Sequence, residues 1–302
     1  DSSKVLLIGS SGFIGQRLAA RLGRDVAIAT YHMHPIPGGV HFDIGAMRLG
    51  DRFLTGRHGI SHAILLHGMN KIDYCAQHPE ETAQVNIEGT KRAIDDLLDA
   101  GVKPVYLSSD GVFDGSRGPW SEDDPPCPIL TYGRQKAAVE SYLSTISSPW
   151  LVARLAKVVG DHKDSRNLLS EWLDSIATHR VIRCASDQTL SPIDVDDAVT
   201  ALVFFIKTEL TGLFNLCGSQ ILSRYELLML LLSFADASLR DRAEIEVCSL
   251  SDFVFAEPRP KNCSMSNRKF LATSRMSMRP IERVCESICR AYAPTTAAAR
   301  SD

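Results

Sequence analysis

Three groups of residues have types and spacings that could do chemistry. Tyr132 and Lys136 stand four apart in Tyr132-Gly133-Arg134-Gln135-Lys136. On a helix, side chains at that spacing share a face. An ammonium beside a phenol favours the tyrosinate and lowers a pKa that is about 10 when unperturbed. Such a tyrosine can pass a proton to a carbonyl oxygen as hydride reaches the carbon. The plainer reading is a helix-surface pair, which about half of chains this long would hold by composition alone. The second group is Leu107-Ser108-Ser109-Asp110-Gly111. Hydroxyls at the C-terminal end of a parallel strand face the crevice where open α/β sheets bind ligands, so Ser109 could hydrogen-bond a carbonyl. A turn-forming Ser/Asp/Gly cluster would look the same. The third is Gly9-Ser10-Ser11-Gly12-Phe13-Ile14-Gly15. Glycines at a strand-to-helix turn let backbone N–H groups approach a pyrophosphate. The spacing is GxxGxxG rather than GxGxxG, and its place directly after an apolar run strengthens it.

Those groups need elements to hold them. Lys4–Gly9 is a continuous apolar run, as expected of a strand buried on both faces. Gly12–Leu22 has helical spacing, and Val26–Thr30, Phe42–Ile44 and His62–Leu66 read as strands. Pro79–Ala100 reads as one long amphipathic helix, with proline at its start and Gly101 after its end. Pro104–Ser108 is a strand, Thr131–Ile146 a helix and Trp150–Ala153 a strand. This alternation predicts an α/β fold, a doubly wound parallel sheet of Rossmann type. Residues 1–153 form the expected dinucleotide-binding domain, with contributions from about 181–220. Residues 154–292 form a smaller, interleaved substrate lobe, and 293–302 a frayed tail. In the later part Asn167–Thr178, Asp194–Ile206 and Ser223–Phe234 read as helices, the last opening on a Ser223/Glu226 capping box. Val181–Arg183 and Leu213–Leu216 read as strands.

Composition narrows the function classes. With 302 residues, 44% hydrophobic and 23% charged, the chain has the make-up of a globular protein with a large core. Its net charge is −3 and it has no basic block, so a nucleic-acid partner is not expected. The apolar stretches Ala198–Ile206 and Leu227–Leu232 are far too short to span a membrane. No basic segment followed by an apolar run opens the chain, so no secretory leader is expected. The eight cysteines include no CxxC pair and read as free thiols in a reducing, cytoplasmic setting. No metal site is expected.

Taken in order, KVLLIGSSGFIG, DYCAQHPEETAQVNIEGT, LSSDGVFDG, PWSEDDPPCP, YGRQKAAVE, ARLAKVVG, DQTLSPIDVDDAV, GLFNLCG and RPKNCSMSNRKF resemble an extended short-chain dehydrogenase/reductase. Within that superfamily they are most similar to the dTDP-4-dehydrorhamnose reductase group, and they run from residue 4 to about 270. The resemblance implies Tyr132 as proton donor, Lys136 as the holder of the nicotinamide ribose, and Ser109 as the residue that orients the carbonyl. It implies a cofactor site of Gly9, Gly12, Phe13, Ile14, Gly15, Tyr31, His32, Asp43, Ile44, Leu66, His67, Gly68, Tyr132, Lys136 and Leu155. Asp110, Lys157, Asn167 and Arg259 are read toward the substrate. Asn86 matches an asparagine that is structural as often as catalytic.

Three positions depart from the group's pattern. Gly111 replaces a tyrosine, His67-Gly68 replaces two alanines, and Lys157 follows Arg154-Leu155-Ala156 where an aromatic is usual. They leave the reductase chemistry intact and put the rhamnose-precursor substrate in question. Lys157 could face a phosphate or carboxylate, or simply solvent. The second strand ends Thr30-Tyr31-His32 without the acid that would hold a ribose 2′-OH. With His32, His34 and Arg17 in range by sequence, NADPH is the preferred cofactor and NAD an allowed one. The expected function is reduction of a keto group on a nucleotide-activated deoxysugar, with a homodimer left open. The alternatives are a non-catalytic regulatory subunit of the methionine adenosyltransferase type, or a reductase or epimerase of another natural-product ketone.

Overall fold

The computed structural model describes residues 3–54, 59–163 and 165–293. Seven strands form the central sheet: β1 (Lys4–Ile8), β2 (Ala27–Tyr31), β3 (Val40–His41), β4 (Ile60–Leu65), β5 (Lys103–Ser109), β6 (Leu151–Leu155) and β7 (Gly212–Leu216). Their order is β7-β6-β5-β4-β1-β2-β3, and every neighbouring pair is parallel. This is a Rossmann-type sheet. Winding reverses between β1 and β4, so a ligand crevice opens beyond the carboxyl ends of the strands there. The third strand ends before the expected Phe42–Ile44 stretch, whose Phe42 and Ile44 side chains are core residues instead.

The two-residue period of the strands divides the core. Val5 and Leu7 of β1 pack with Ile64, Val105 and Ala153 and with the helix Val195–Ile206 on one face. Leu6 and Ile8 pack on the other with Leu65, Tyr106 and residues of the helices Thr90–Asp99 and Thr131–Ser144. Both sheet faces are covered, which is why these strands read as unbroken apolar runs.

The stretch expected as one helix over 79–100 is three pieces. Pro79–Ala83 and Thr90–Asp99 are α-helical, and a π-helical turn, Gln84–Gly89, joins them. Gly89 lies so close to the loop after β3 that a Cβ there would be 2.4 Å from the Ile44 carbonyl oxygen. The buried Asn86 side chain in the same turn accepts from Met69 N and donates to Met69 O and Gln135 Oε1. The wider turn therefore serves contacts that a hydrophobic period does not encode.

A separate apolar cluster gathers Trp172, Leu173, Leu227, Leu231, Val284 and Ile288 from the helices Leu168–Ala177, Arg224–Phe234 and Ile281–Tyr292. The stretch 181–220 is divided between the two regions. Gly212–Leu216 closes the edge of the central sheet, whereas Ile182–Ala185 pairs in parallel with Ile245–Cys248 outside it. The expected tail lies outside the described residues beyond Ala293. No helix is long and apolar enough to cross a membrane among the described residues. All eight cysteines are free.

Candidate active site

A cleft of about 620 Å³ lies over the carboxyl ends of β1, β4, β5 and β6. Of the residues expected in the site, Gly9, Gly12, Phe13, Ile14, Gly15, Leu66, Ser109, Asp110, Tyr132, Leu155, Lys157 and Arg259 line it. Its floor at β1 suits a dinucleotide. Gly12 caps the helix Phe13–Leu22 without a side-chain hydrogen bond, and the first turn carries no acid. The free N–H groups of that turn and the positive end of its dipole are suited to phosphate. Gly9 has φ +90°, and a Cβ would sit 2.8 Å from the His67 backbone. Nothing lies within 4 Å of a Cβ built at Gly12, so the glycine turn leaves space over its backbone. These residues fit the pyrophosphate of a nicotinamide dinucleotide.

Ser109 ends β5 and caps the short 3₁₀ turn Asp110–Val112. Its hydroxyl accepts from Gly111 N at 3.0 Å and donates to Asp110 Oδ1 at 2.9 Å. Tyr132 opens the helix Thr131–Ser144 opposite that turn. Lys136, one turn further, is fully enclosed. Its ammonium donates to the Leu107 carbonyl at 2.8 Å and lies 4.8 Å from the centre of the Tyr106 ring and 5.6 Å from that of Tyr132. Burial lowers its pKa to about 8.

The electrostatics differ from the sequence expectation. Burial dominates Tyr132 and raises its phenol; the Asp110 charge adds to the rise and a hydrogen bond with Ser109 opposes it. Lys136 does not bring the phenol below its ordinary range here. Burial also pushes Asp110 up to about 6, against the pull of the Ser109 hydrogen bond and the Lys157 charge.

Other expected residues surround the cleft. Gly68 lies over Lys136, whose Nζ would be 3.6 Å from a Cβ there. His67 is within hydrogen-bond distance of Thr90 Oγ1 (2.7 Å), and burial drops its pKa to about 3, so it is neutral. At the end of β2, His32 lies 3.6 Å from the Asp43 carboxylate, and Tyr31 and His32 both pack near His41. Ile44 is core. Two of the residues considered make other contacts. Asn167 is the buried N-cap of the helix Leu168–Ala177: its Oδ1 accepts from Leu169 N and its amide donates to Gly160 O and Ser165, away from the cleft. Arg17, considered for the cofactor, is bound to Asp196 at 2.8 Å, because its helix packs against Val195–Ile206.

Asp161, His162 and Asp196 approach one another closely enough to suggest a cation site, but Arg279 and Arg17 already pair with the two carboxylates. The cleft wall formed by the later chain was not anticipated. Arg183, Gln188, Arg224, Phe253, Phe255 and Cys263 all reach it. Gln188 lies in the DQTLSP segment and Cys263 in the RPKNCSMSNRKF segment already quoted, which could have indicated them; the others carry no local signal.

The family model described as RmlD substrate binding domain matches residues 3–293. A probable low-salt glycan biosynthesis reductase of Haloferax volcanii is 29% identical over 153 residues, covering 49% of this chain and half of its own length. A dTDP-4-dehydrorhamnose reductase of Sinorhizobium fredii is 25% identical, covering 72% of this chain and 73% of its own. The methionine adenosyltransferase 2 subunit beta of Bos taurus is 22% identical, with 87% and 80% covered. Among solved structures, a dTDP-4-dehydrorhamnose reductase of Bacillus anthracis in complex with NADP superposes with TM-score 0.80 at 21% identity, covering 95% of this chain and 99% of that one. That likeness concerns the fold; the family rests on the match across nearly the whole sequence. The chain belongs to the RmlD substrate-binding-domain family.

Proposed function

We propose that the protein is an NADPH-dependent reductase of a ketone on a nucleotide-activated sugar. The observation that carries this reading is the convergence of Ser109 and Tyr132 on one cleft with the glycine turn, with Lys136 enclosed beneath them. The reductases among its relatives support the same chemistry. NADPH, when bound, supplies the hydride. The Gly9–Gly15 turn would hold its phosphates, and Lys136 would hold the nicotinamide ribose. Ser109 orients the carbonyl by hydrogen bonding. Tyr132, kept protonated by its burial, gives its proton to the carbonyl oxygen. Lys136 stabilises the phenolate that this leaves.

NADPH is preferred over NADH because β2 ends at Tyr31 and is followed by His32, neither of them an acid. The neighbouring Asp43 carboxylate tempers that preference, so NADH remains usable. The binding-only reading has support from the adenosyltransferase subunit, but such a role needs no Ser–Tyr–Lys set.

Tyr132→Phe separates the two. It keeps the ring's packing and removes the proton donor. Turnover of a keto-sugar nucleotide, followed by loss of NADPH absorbance, should fall by about 10²-fold or more while NADPH affinity is kept. Unchanged turnover would remove Tyr132 from the mechanism, and no turnover by the parent protein would favour the binding role.

A further inference from the structure

The cleft holds cations that the reductase chemistry does not use. Lys157 follows the end of β6, two residues after Leu155, and lines the cleft with Ser109, Asp110 and Tyr132. Its side chain is exposed. Arg224 begins the helix Arg224–Phe234 and reaches the same cavity, with its guanidinium 5.5 Å from the centre of the Trp172 ring. Neither side chain makes an ion pair or hydrogen bond among the described residues. The other two arginines of the wall are engaged. Arg183 pairs with Glu246 at 3.0 Å and Arg259 with Asp73 at 2.7 Å.

Two cations thus share the cleft without an ion-pair partner. Burial disfavours the charged form of each, and the Arg224 charge adds to that effect on Lys157. Glu171 attracts both cations from a distance and Asp110 also attracts Lys157, but neither acid forms an ion pair with them among the described residues. A neutral sugar closing over these groups would strip water from two cations and bring no anion into contact with them. A carboxylate would satisfy both, since it can accept from an ammonium and from the planar guanidinium fork together.

Resting on the reductase reading above, the geometry points to a substrate whose keto-bearing ring also carries a carboxylate, seated between Lys157 and Arg224. A diphosphate could use the same donors, but Lys157 stands in the wall shared with Ser109 and Tyr132, where the reacting ring must lie. The class is thus a nucleotide-linked uronic acid derivative rather than a deoxysugar.

The test compares two probes with the same diphosphate. Binding of UDP-glucuronic acid and UDP-glucose to the NADP-loaded protein is measured by calorimetry, with free glucuronate and glucose as a pair lacking any base. The acid should bind about tenfold or more tightly than its neutral partner, as hydrogen bonds to charged groups imply. In Lys157→Met and Arg224→Met the ratio should shrink to about threefold or less, and in Lys157→Arg it should persist, which a packing role would not produce. Equal affinities in each pair, or no detectable binding of either acid, overturn the inference. A fall in affinity for both UDP-sugars alike in the variants also overturns it, because it assigns the cations to the diphosphate. Failure to bind NADP would instead strike at the reductase reading.

Discussion

Asp110 shows how the site sets function against stability at a single residue. Its carboxyl is raised to about 6 in the folded protein, from an ordinary value near 4, because burial disfavours the anion. A group raised on folding contributes stability that is complete below the unfolded pKa and lost as pH climbs through the folded one. The folded protein should therefore lose stability between about pH 4 and 6, and the ionised Asp110 should be a steady burden above that window. A pKa unit corresponds to about 1.4 kcal/mol, and the open side of the cleft reduces the effect, leaving on the order of 1 to 2 kcal/mol. Asp110→Asn, which keeps an acceptor for Ser109, should melt higher than the parent at pH 7 and no higher at pH 4. Thermal melts across that range check it, and a gap constant with pH would contradict it. Residue identity and order were the most legible level: Ser109 and Tyr132 could be placed together from LSSDG and YGRQK. The state of the phenol was not legible, since a neighbouring ammonium lowers a pKa while enclosure by the fold raises it, and only coordinates weigh the two.

Between elements, the turn after β5 meets the helix Thr131–Ser144 at its thinnest point. A Cβ at Gly133 would stand 1.9 Å from the Gly111 carbonyl oxygen, a distance no side chain tolerates. The helix and the Ser109 turn are thus in register only while position 133 lacks a side chain. Gly133→Ala should push them apart and cost about 1 to 3 kcal/mol of stability, as overpacking does. Because it moves Ser109 relative to Tyr132, turnover should fall roughly 10- to 100-fold even in molecules that remain folded. Denaturant melts together with turnover at low temperature test both halves, and an alanine variant with normal turnover would mean the two elements are not held by this contact. Strands and most helices could be read from period and caps, as Ser223 and Glu226 illustrate with a reciprocal capping box. The π-helical turn at Gln84–Gly89 could not, because it answers to Asn86 bonding residues 17 and 49 positions away.

Cofactor choice is read out by the whole molecule, since a ligand that binds only the folded state raises its stability. At 100 times the dissociation constant that gain is about 2.7 kcal/mol, or roughly 5 °C or more in melting temperature for a chain of this size. NADPH should give the larger shift at equal concentration, and His32→Asp should transfer the advantage to NADH. A larger NADH shift in the parent protein would reverse the assignment. The cleft's far wall was illegible at this scale for a topological reason: Arg183, Arg224 and Phe253 become neighbours only after the chain has crossed between the sheet and the second core. It leaves after β6, returns for Val195–Ile206 and β7, and leaves again for Arg224–Phe234. It then comes back to bury Phe270 beside Phe205 and departs once more for Ile281–Tyr292. Such a chain is laced rather than hinged on one thread. Removing everything after β6 would take Val195–Ile206, β7 and Phe270 out of the core on one face of the central sheet, so the first half alone does not keep that core. A cut in one exposed connection would leave two fragments still clasped across the seam, with the ligand cleft between them.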